Sequence, residues 1–155
     1  MKIKLILVGK TNNSSILNLF EDYISRINRY VSLSCIIVPD VKKQQNIEKQ
    51  KLKEGEAIKK QIKINDYVVL LDENGKQYSS RDFAKFLDKK MISGLKNLCF
   101  IIGGSYGFSN EIYDIAKGKI SISKMTFSHQ IIRPIFAEQV YRAFSILNNE
   151  PYHHD

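Results

Sequence analysis

The sequence predicts an α/β fold with a mostly parallel sheet flanked by helices. Three observations carry this. Two short runs, Tyr67-Val68-Val69-Leu70-Leu71 and Leu98-Cys99-Phe100-Ile101-Ile102, are continuously apolar, the pattern of strands buried on both faces. Segments with apolar residues at helical spacing lie between the strand-like runs. The alternation of strand and helix holds from end to end, which is the order a parallel sheet requires.

Taken in order, Lys2 to Gly9 reads as a strand, with Ile3, Leu5 and Leu7 on one face and Ile6 and Val8 on the other. Ser14 or Ser15 is placed to cap a helix running to about Tyr30, in which Ile16, Leu19, Phe20, Tyr23, Ile24 and Ile27 recur at helical spacing. Leu33, Cys35 and Ile37 alternate in a strand from Ser32 to Val38 that Pro39 stops. Gln44 to Lys60 is predicted to be a helix, and its thin apolar content (Ile47, Leu52, Ala57, Ile58) makes it the most exposed one. After the strand at Tyr67–Leu71, Asp72-Glu73-Asn74-Gly75 reads as a turn, and Ser79-Ser80-Arg81-Asp82 as a capping box opening a helix that Gly94 ends. The fourth strand is Leu98 to Ile102, Ser109 to Ala116 is a short polar-capped segment, and Lys119 to Ser123 is the fifth strand. Pro134 marks the start of the last helix, which carries a stripe of Ile135, Phe136, Val140, Ala143, Phe144 and Leu147.

The 155 residues suit one domain spanning 1–155 with a hydrophobic core. No apolar run approaches the roughly 18 residues of a membrane span, and the charged, aliphatic N-terminus lacks the pattern of a signal peptide. Cys35 and Cys99 both sit in apolar segments and are expected to be buried, reduced thiols of a cytoplasmic protein; two isolated cysteines do not make a metal site. The net charge of +8 favours a polyanionic partner, nucleic acid above all. The excess is local: Lys42 to Lys63 holds eight lysines against Glu48, Glu54 and Glu56. A solvated helix face would read the same way.

The chain is organised around Leu98 to Arg142. There a buried strand runs into Gly103-Gly104-Ser105-Tyr106-Gly107, where glycines permit positive φ and let a ligand touch bare backbone. A side chain added at Gly103 is therefore expected to collide with that ligand. In open parallel sheets ligands sit beyond the carboxyl ends of the strands, and two such ends here carry glycine turns, Leu71–Gly75 and Ile102–Gly107. Neither the dinucleotide G-x-G-x-x-G at an early strand nor the phosphate-binding G-x-x-x-x-G-K-[ST] is present.

Several stretches together closely resemble the RlmH family of the SPOUT superfamily. They are Phe100-Ile101-Ile102-Gly103-Gly104-Ser105-Tyr106-Gly107, Ser121 to Gln130, Arg133, Glu138-Gln139-Val140-Tyr141-Arg142-Ala143 and Pro151-Tyr152-His153-His154. The resemblance spans the whole chain, with one departure: Ser128 stands where family members usually have proline. It implies a methyltransferase that uses S-adenosyl-L-methionine to modify N3 of a pseudouridine in 23S ribosomal RNA. It also implies a SPOUT-type fold with a C-terminal trefoil knot, and a homodimer in which the C-terminal region of one subunit helps build the other's site. By the same resemblance the cofactor contacts are Leu71, Gly103, Gly104, Ile122, Ser123, Lys124, Met125, Thr126 and Phe127.

Methyl transfer from a sulfonium to a ring nitrogen is a displacement that needs alignment and management of the nitrogen's proton, and no metal. His129, Arg133, Arg142, Tyr152, His153 and His154 form a basic and aromatic set after the cofactor loop, of the kind that stacks on an unpaired base and holds its phosphates. So small a chain has no separate RNA-recognition domain, so the assembled 70S ribosome is the expected substrate, with no membrane partner. The alternative is a non-catalytic ribosome- or RNA-binding module that kept the basic surface.

Overall fold

The structure of the protein, a computed structural model, describes residues 1–41 and 46–154. Its elements are β1 (Lys2–Val8), α1 (Ser14–Ile27), β2 (Leu33–Val38), α2 (Ile47–Lys59), β3 (Asp66–Gln77), α3 (Ser80–Ile92), β4 (Asn97–Ile102), α4 (Asn110–Ile115), β5 (Gly118–Ser121) and α5 (Ile132–Leu147). The five strands form one sheet in the order β2-β1-β4-β3-β5, and every pairing is parallel. The predicted α/β architecture is the observed one. Lys42, Lys43, Gln44 and Gln45 of the lysine-rich stretch, and Asp155, lie outside the described residues.

The period-two pattern of β1 separates two cores. Ile3, Leu5 and Leu7 join Phe100, Ile102, Val69 and the inner faces of α1, α3 and α5. Ile6 and Val8 join Val68, Leu70, Cys99, Ile101 and the residues Ile58, Phe108 and Ile112 from the α2 and α4 side. The larger core is centred on aromatics, with Phe100 edge-on to Phe136 at 4.9 Å between ring centroids and Phe83 packed beside both. At the amino ends of the strands the Lys4 ammonium donates to Asp66 Oδ2 at 2.6 Å and to the Gln61 carbonyl at 2.9 Å.

Local sequence signals were legible in the caps. Ser79 caps α3 by accepting from the Asp82 amide at 3.1 Å, as the capping box predicts, and Gly94 follows the helix with φ +74°. Asn13, rather than Ser14 or Ser15, caps α1 by accepting from the Ile16 amide at 3.1 Å.

Three expectations are corrected. The stretch Asp72–Gly75 is not a turn that ends a strand: β3 continues to Gln77, and Leu71 and Lys76 both pair with Ile120, so that residues 72–75 bulge out between them. β5 stops at Ser121, which leaves Ile122 and Ser123 in the loop beyond it. Cys35 is exposed, because β2 is an edge strand; Cys99 in the central β4 is buried, and burial pushes its thiol up to about 12. On α2, Glu54, Gly55 and Ile58 are buried beneath a surface on which Lys49, Lys53 and Lys60 are exposed.

The bulge in β3 depends on Gly75. A Cβ there would stand 2.6 Å from the backbone nitrogen and carbonyl carbon of Ile120. Backbone cannot swing aside as a side chain can, so Gly75→Ala is expected to lower unfolding stability by roughly 1–3 kcal/mol through overpacking. Chemical denaturation against the parent protein measures this; equal stability would show that β5 is free to move away from β3.

Candidate functional site: a cavity at the strand ends

At the carboxyl edge of the sheet β4, β3 and β5 lie side by side. Ile102 and Leu71 are register partners, as are Leu71 and Ile120, so three aliphatic side chains stand in a row at the carboxyl edge of the sheet. They floor a cavity of about 540 Å³. Its walls are the glycine turn (103–108), the bulge residues Asp72, Glu73 and Asn74, and the loop after β5 that includes Ile122, Ser123, Met125, Thr126 and Phe127; His129 and Ile132 close it where α5 begins. This is where a parallel α/β sheet holds ligands.

The wall segments are tied to one another. The Ser121 hydroxyl donates to the Ser123 carbonyl at 2.8 Å, and the Ser123 hydroxyl accepts from the Met125 amide at 3.0 Å, which shapes the loop after β5. The Thr126 hydroxyl reaches Glu73 at 3.5 Å, joining that loop to the bulge. Ser105 Oγ and His129 Nδ1 lie 3.3 Å apart, joining the glycine turn to the entry of α5. The Tyr113 hydroxyl donates to Asp72 Oδ2 at 2.5 Å, and burial together with that carboxylate pushes the phenol up to about 12.

The turn's glycines have a different reason from the expected one. Only Gly107 has positive φ, at +76°. At Gly103 an added Cβ would face the Phe108 ring at 3.0 Å, not the cavity, and at Gly104 it would stand 2.8 Å from Glu54 Oε2. Larger residues at Gly103 would therefore act by displacing the buried Phe108 wall, and not by direct collision with a ligand.

Of the residues assigned to cofactor contact from the sequence, Leu71, Gly103, Gly104, Ile122, Ser123, Met125, Thr126 and Phe127 line the cavity; Lys124 is exposed on the same loop and is not among the lining residues. Of the six assigned to chemistry, His129 alone lines it. Arg133 is fully buried: its guanidinium donates to the Val8 carbonyl at 2.6 Å and to Thr11 Oγ1 at 2.7 Å, and so clamps the exit of β1 to α5. Burial holds that guanidinium below its ordinary value, and Asp40 partly offsets the effect. Gln130 adds to the clamp by accepting from the Asn12 amide at 2.9 Å.

Arg142, Tyr152 and His153 form a second cluster. Arg142 pairs with Glu138 at 2.5 Å, lies over the Tyr152 ring at 4.7 Å and has NH1 3.3 Å from His153 Nδ1. The Tyr152 hydroxyl lies 3.2 Å from both Tyr23 Oη and Glu138 Oε1, and burial with these partners raises it far above an ordinary phenol. The tail is thus packed onto α5 and α1, with His154 exposed at its end. The aromatic stripe of α5 is core within one chain: Phe136 and Phe144 are buried, and Tyr141 packs against Tyr23, Tyr30 and Tyr152.

Asp72, Glu73, Tyr106, Phe108 and Tyr113 line the cavity without having been singled out as site residues. Asp72 and Glu73 were hidden by their reading as a turn, and Tyr113 lies on a helix too short for any periodicity to point at it. The lining contains two carboxylates and no lysine or arginine, in a chain of net charge +8. Among the described residues no three His, Cys, Asp or Glu side chains come close enough to hold a metal ion, and no helix is long and apolar enough to cross a membrane.

A family model described as "Predicted SPOUT methyltransferase" matches residues 1–153. The chain is 53% identical to the ribosomal RNA large subunit methyltransferase H of Christiangramia forsetii over 156 residues, covering 99% of each chain. It is 50% identical to the protein of that name from Parabacteroides distasonis over 157 residues, covering all of both. A solved structure of a probable methylase family protein from Haemophilus influenzae superposes with a TM-score of 0.50 at 14% identity, across 95% of this chain and 66% of that one, a likeness of fold alone. On the whole-chain match and the half-identical relatives, the chain belongs to the SPOUT methyltransferase family.

Proposed function

We propose that this protein is an S-adenosylmethionine-dependent methyltransferase of large-subunit ribosomal RNA, acting at N3 of a pseudouridine in 23S RNA on the assembled ribosome in the cytoplasm. The observation that carries the cofactor reading is the charge of the cavity. A basic chain directs two carboxylates and no lysine or arginine at a pocket with an aliphatic floor, an arrangement that favours a cationic ligand with a flat nucleoside. The residues fit that ligand: Leu71, Ile102, Ile120 and Ile122 give apolar surface for a nucleobase, the glycine turn offers backbone groups, and Asp72 and Glu73 offer carboxylates to a positive centre. The substrate reading rests on the half-identical relatives, whose name specifies large-subunit ribosomal RNA.

When bound, S-adenosylmethionine supplies a methyl group on a sulfonium centre that a ring nitrogen can displace. The chain's own work is alignment, exclusion of water and handling of the nitrogen's proton. His129 presents an imidazole at the rim, restrained by Ser105 and able to take or give a proton. Exposed Tyr106 and Phe127 offer aromatic surface beside it for an unpaired base. Arg133 contributes by fixing the β1 exit against α5 rather than by touching the cavity.

Arg142, Tyr152, His153 and His154 complete the site in this reading from the partner protomer of a homodimer. What supports it is that this tail cluster is ordered by Glu138, Tyr23 and Tyr141 and yet supplies no residue to its own chain's cavity. Each protomer acts as one methyltransferase unit over 1–155, and the trefoil knot expected of its relatives belongs to the same proposal.

Calorimetry with S-adenosylmethionine, followed by transfer of labelled methyl to 50S subunits and 70S ribosomes with and without the pseudouridine, tests the reading. Binding and pseudouridine-dependent transfer to 70S are expected; no heat of binding would mark the chain as a binding module. Deleting Tyr152 to Asp155 should leave cofactor affinity within about threefold while nearly abolishing RNA methylation, because Tyr152, His153 and His154 do not line their own chain's cavity. Light scattering should return twice the 17.9 kDa chain mass for the parent protein. A monomer, or a fully active deletion variant, would remove the tail from the site.

The exposed lysines of α2 extend the RNA surface. Reversing the charge at Lys49, Lys53 and Lys60 should weaken ribosome binding and flatten its salt dependence, with turnover at saturation unchanged. Unaltered binding would show the run to be a solvated face.

A further inference from the structure

Two consecutive residues of α2 form the seat of the glycine turn. Glu54 is only 3% exposed, on a helix otherwise rich in exposed lysines. Its Oε1 accepts from the Val41 amide at 3.3 Å and from Gln50 Nε2 at 3.0 Å. Its carboxylate lies against the backbone of Gly104, with Oε2 2.8 Å from the place a Cβ would take. Beside it, a Cβ on Gly55 would stand 2.4 Å from the hydroxyl of Ser109, the residue that precedes α4. The helix therefore comes close at both ends of the Gly104–Ser109 segment, and residues 104–108 of that segment line the cavity.

A buried carboxylate is costly, and an apolar side chain of the same volume would serve packing alone more cheaply. What the carboxylate adds is a tie between the chain leaving β2 and helix α2, placed directly behind Gly104 of the glycine turn. Its second oxygen occupies the space that a side chain on Gly104 would need. No atom of Glu54 lines the cavity, so any effect on a ligand passes through the turn.

We propose that Glu54 is a positioning residue of the cofactor site: its carboxylate braces the Gly103–Gly107 turn from behind and sets the depth of the wall against which S-adenosylmethionine binds. The inference rests on reading the cavity as the cofactor site. It gives the sequence Glu54-Gly55 a task at a distance from the lysines that surround it. It also makes the pairing of Glu54 with Gly104 reciprocal, since each tolerates the other only because one is glycine.

The test is a double-mutant cycle read as S-adenosylmethionine affinity by calorimetry, well below the lowest melting temperature in the set. Glu54→Ala should weaken binding about tenfold, since a displaced wall loses preorganised contacts. Glu54→Gln, which keeps shape and one acceptor, should stay within about threefold of the parent. Gly104→Ala alone should weaken binding by pushing against the carboxylate, and most of that loss should disappear in Glu54→Ala/Gly104→Ala, where the space has opened; a coupling of about threefold or more is expected for residues in contact. In methylation assays the loss should appear in KM for the cofactor, with KM for the ribosome unchanged. General loosening would not produce that split or the rescue. Parent-like affinity of Glu54→Ala, or strictly additive losses, would overturn the inference. If the parent protein itself takes up no S-adenosylmethionine, the cofactor reading fails first and the inference falls with it.

Discussion

The site depends on a single constraint in the sheet: Ile120 of β5 is paired twice, with Leu71 and again with Lys76 of β3. Four residues must leave the ladder between those pairings, and Gly75 lets them return because its bare backbone lies against that of Ile120. A strand that ended at Leu71 would open onto solvent. One that bulges instead carries Asp72, Glu73 and Asn74 to the edge of the sheet as a wall. Tyr113 and Thr126 then fasten that wall to α4 and to the loop after β5.

Charge is distributed in opposition around this cavity. The chain as a whole is basic, and its exposed lysines crowd α2, yet the charged side chains lining the pocket are both acidic. Long-range attraction for a polyanion and local attraction for a cation are thus kept on separate surfaces, and screening by salt confines the influence of each to its own neighbourhood. The tail makes a third electrostatic environment. Arg142 is neutralised by Glu138 and covered by Tyr152, which holds a flexible cation in one orientation at low entropic cost.

Rigid packing stands behind both surfaces. Phe100, Phe136 and Phe83 lock α3 and α5 onto the middle of the sheet, and Arg133 reaches through the same region to fix the exit of β1. On the opposite face α2 meets the turn through Glu54 and Gly55, contacts too close for any intervening side chain. The loops that wall the site are therefore held by elements whose positions are set by the core.

By itself the sequence determined the alternating elements, the burial of β3 and β4, the cap at Ser79 and the family. These are written in local signals: continuous apolar runs, hydroxyl residues ahead of a helix, and a distinctive string from Phe100 to Gly107. Most of the cavity-lining set was legible for the same reason, because it lies in the two stretches that carry the family resemblance. Tertiary structure decided what depends on residues far apart in sequence. The second pairing of Ile120 made a wall from an apparent turn, the edge position of β2 exposed Cys35, and the reach of Arg133 to Val8 across 125 positions made an anchor of a candidate catalytic group. It was likewise the approach of α2 that gave Gly104 its reason, since a glycine announces only that something comes near, and the neighbour is chosen by the fold.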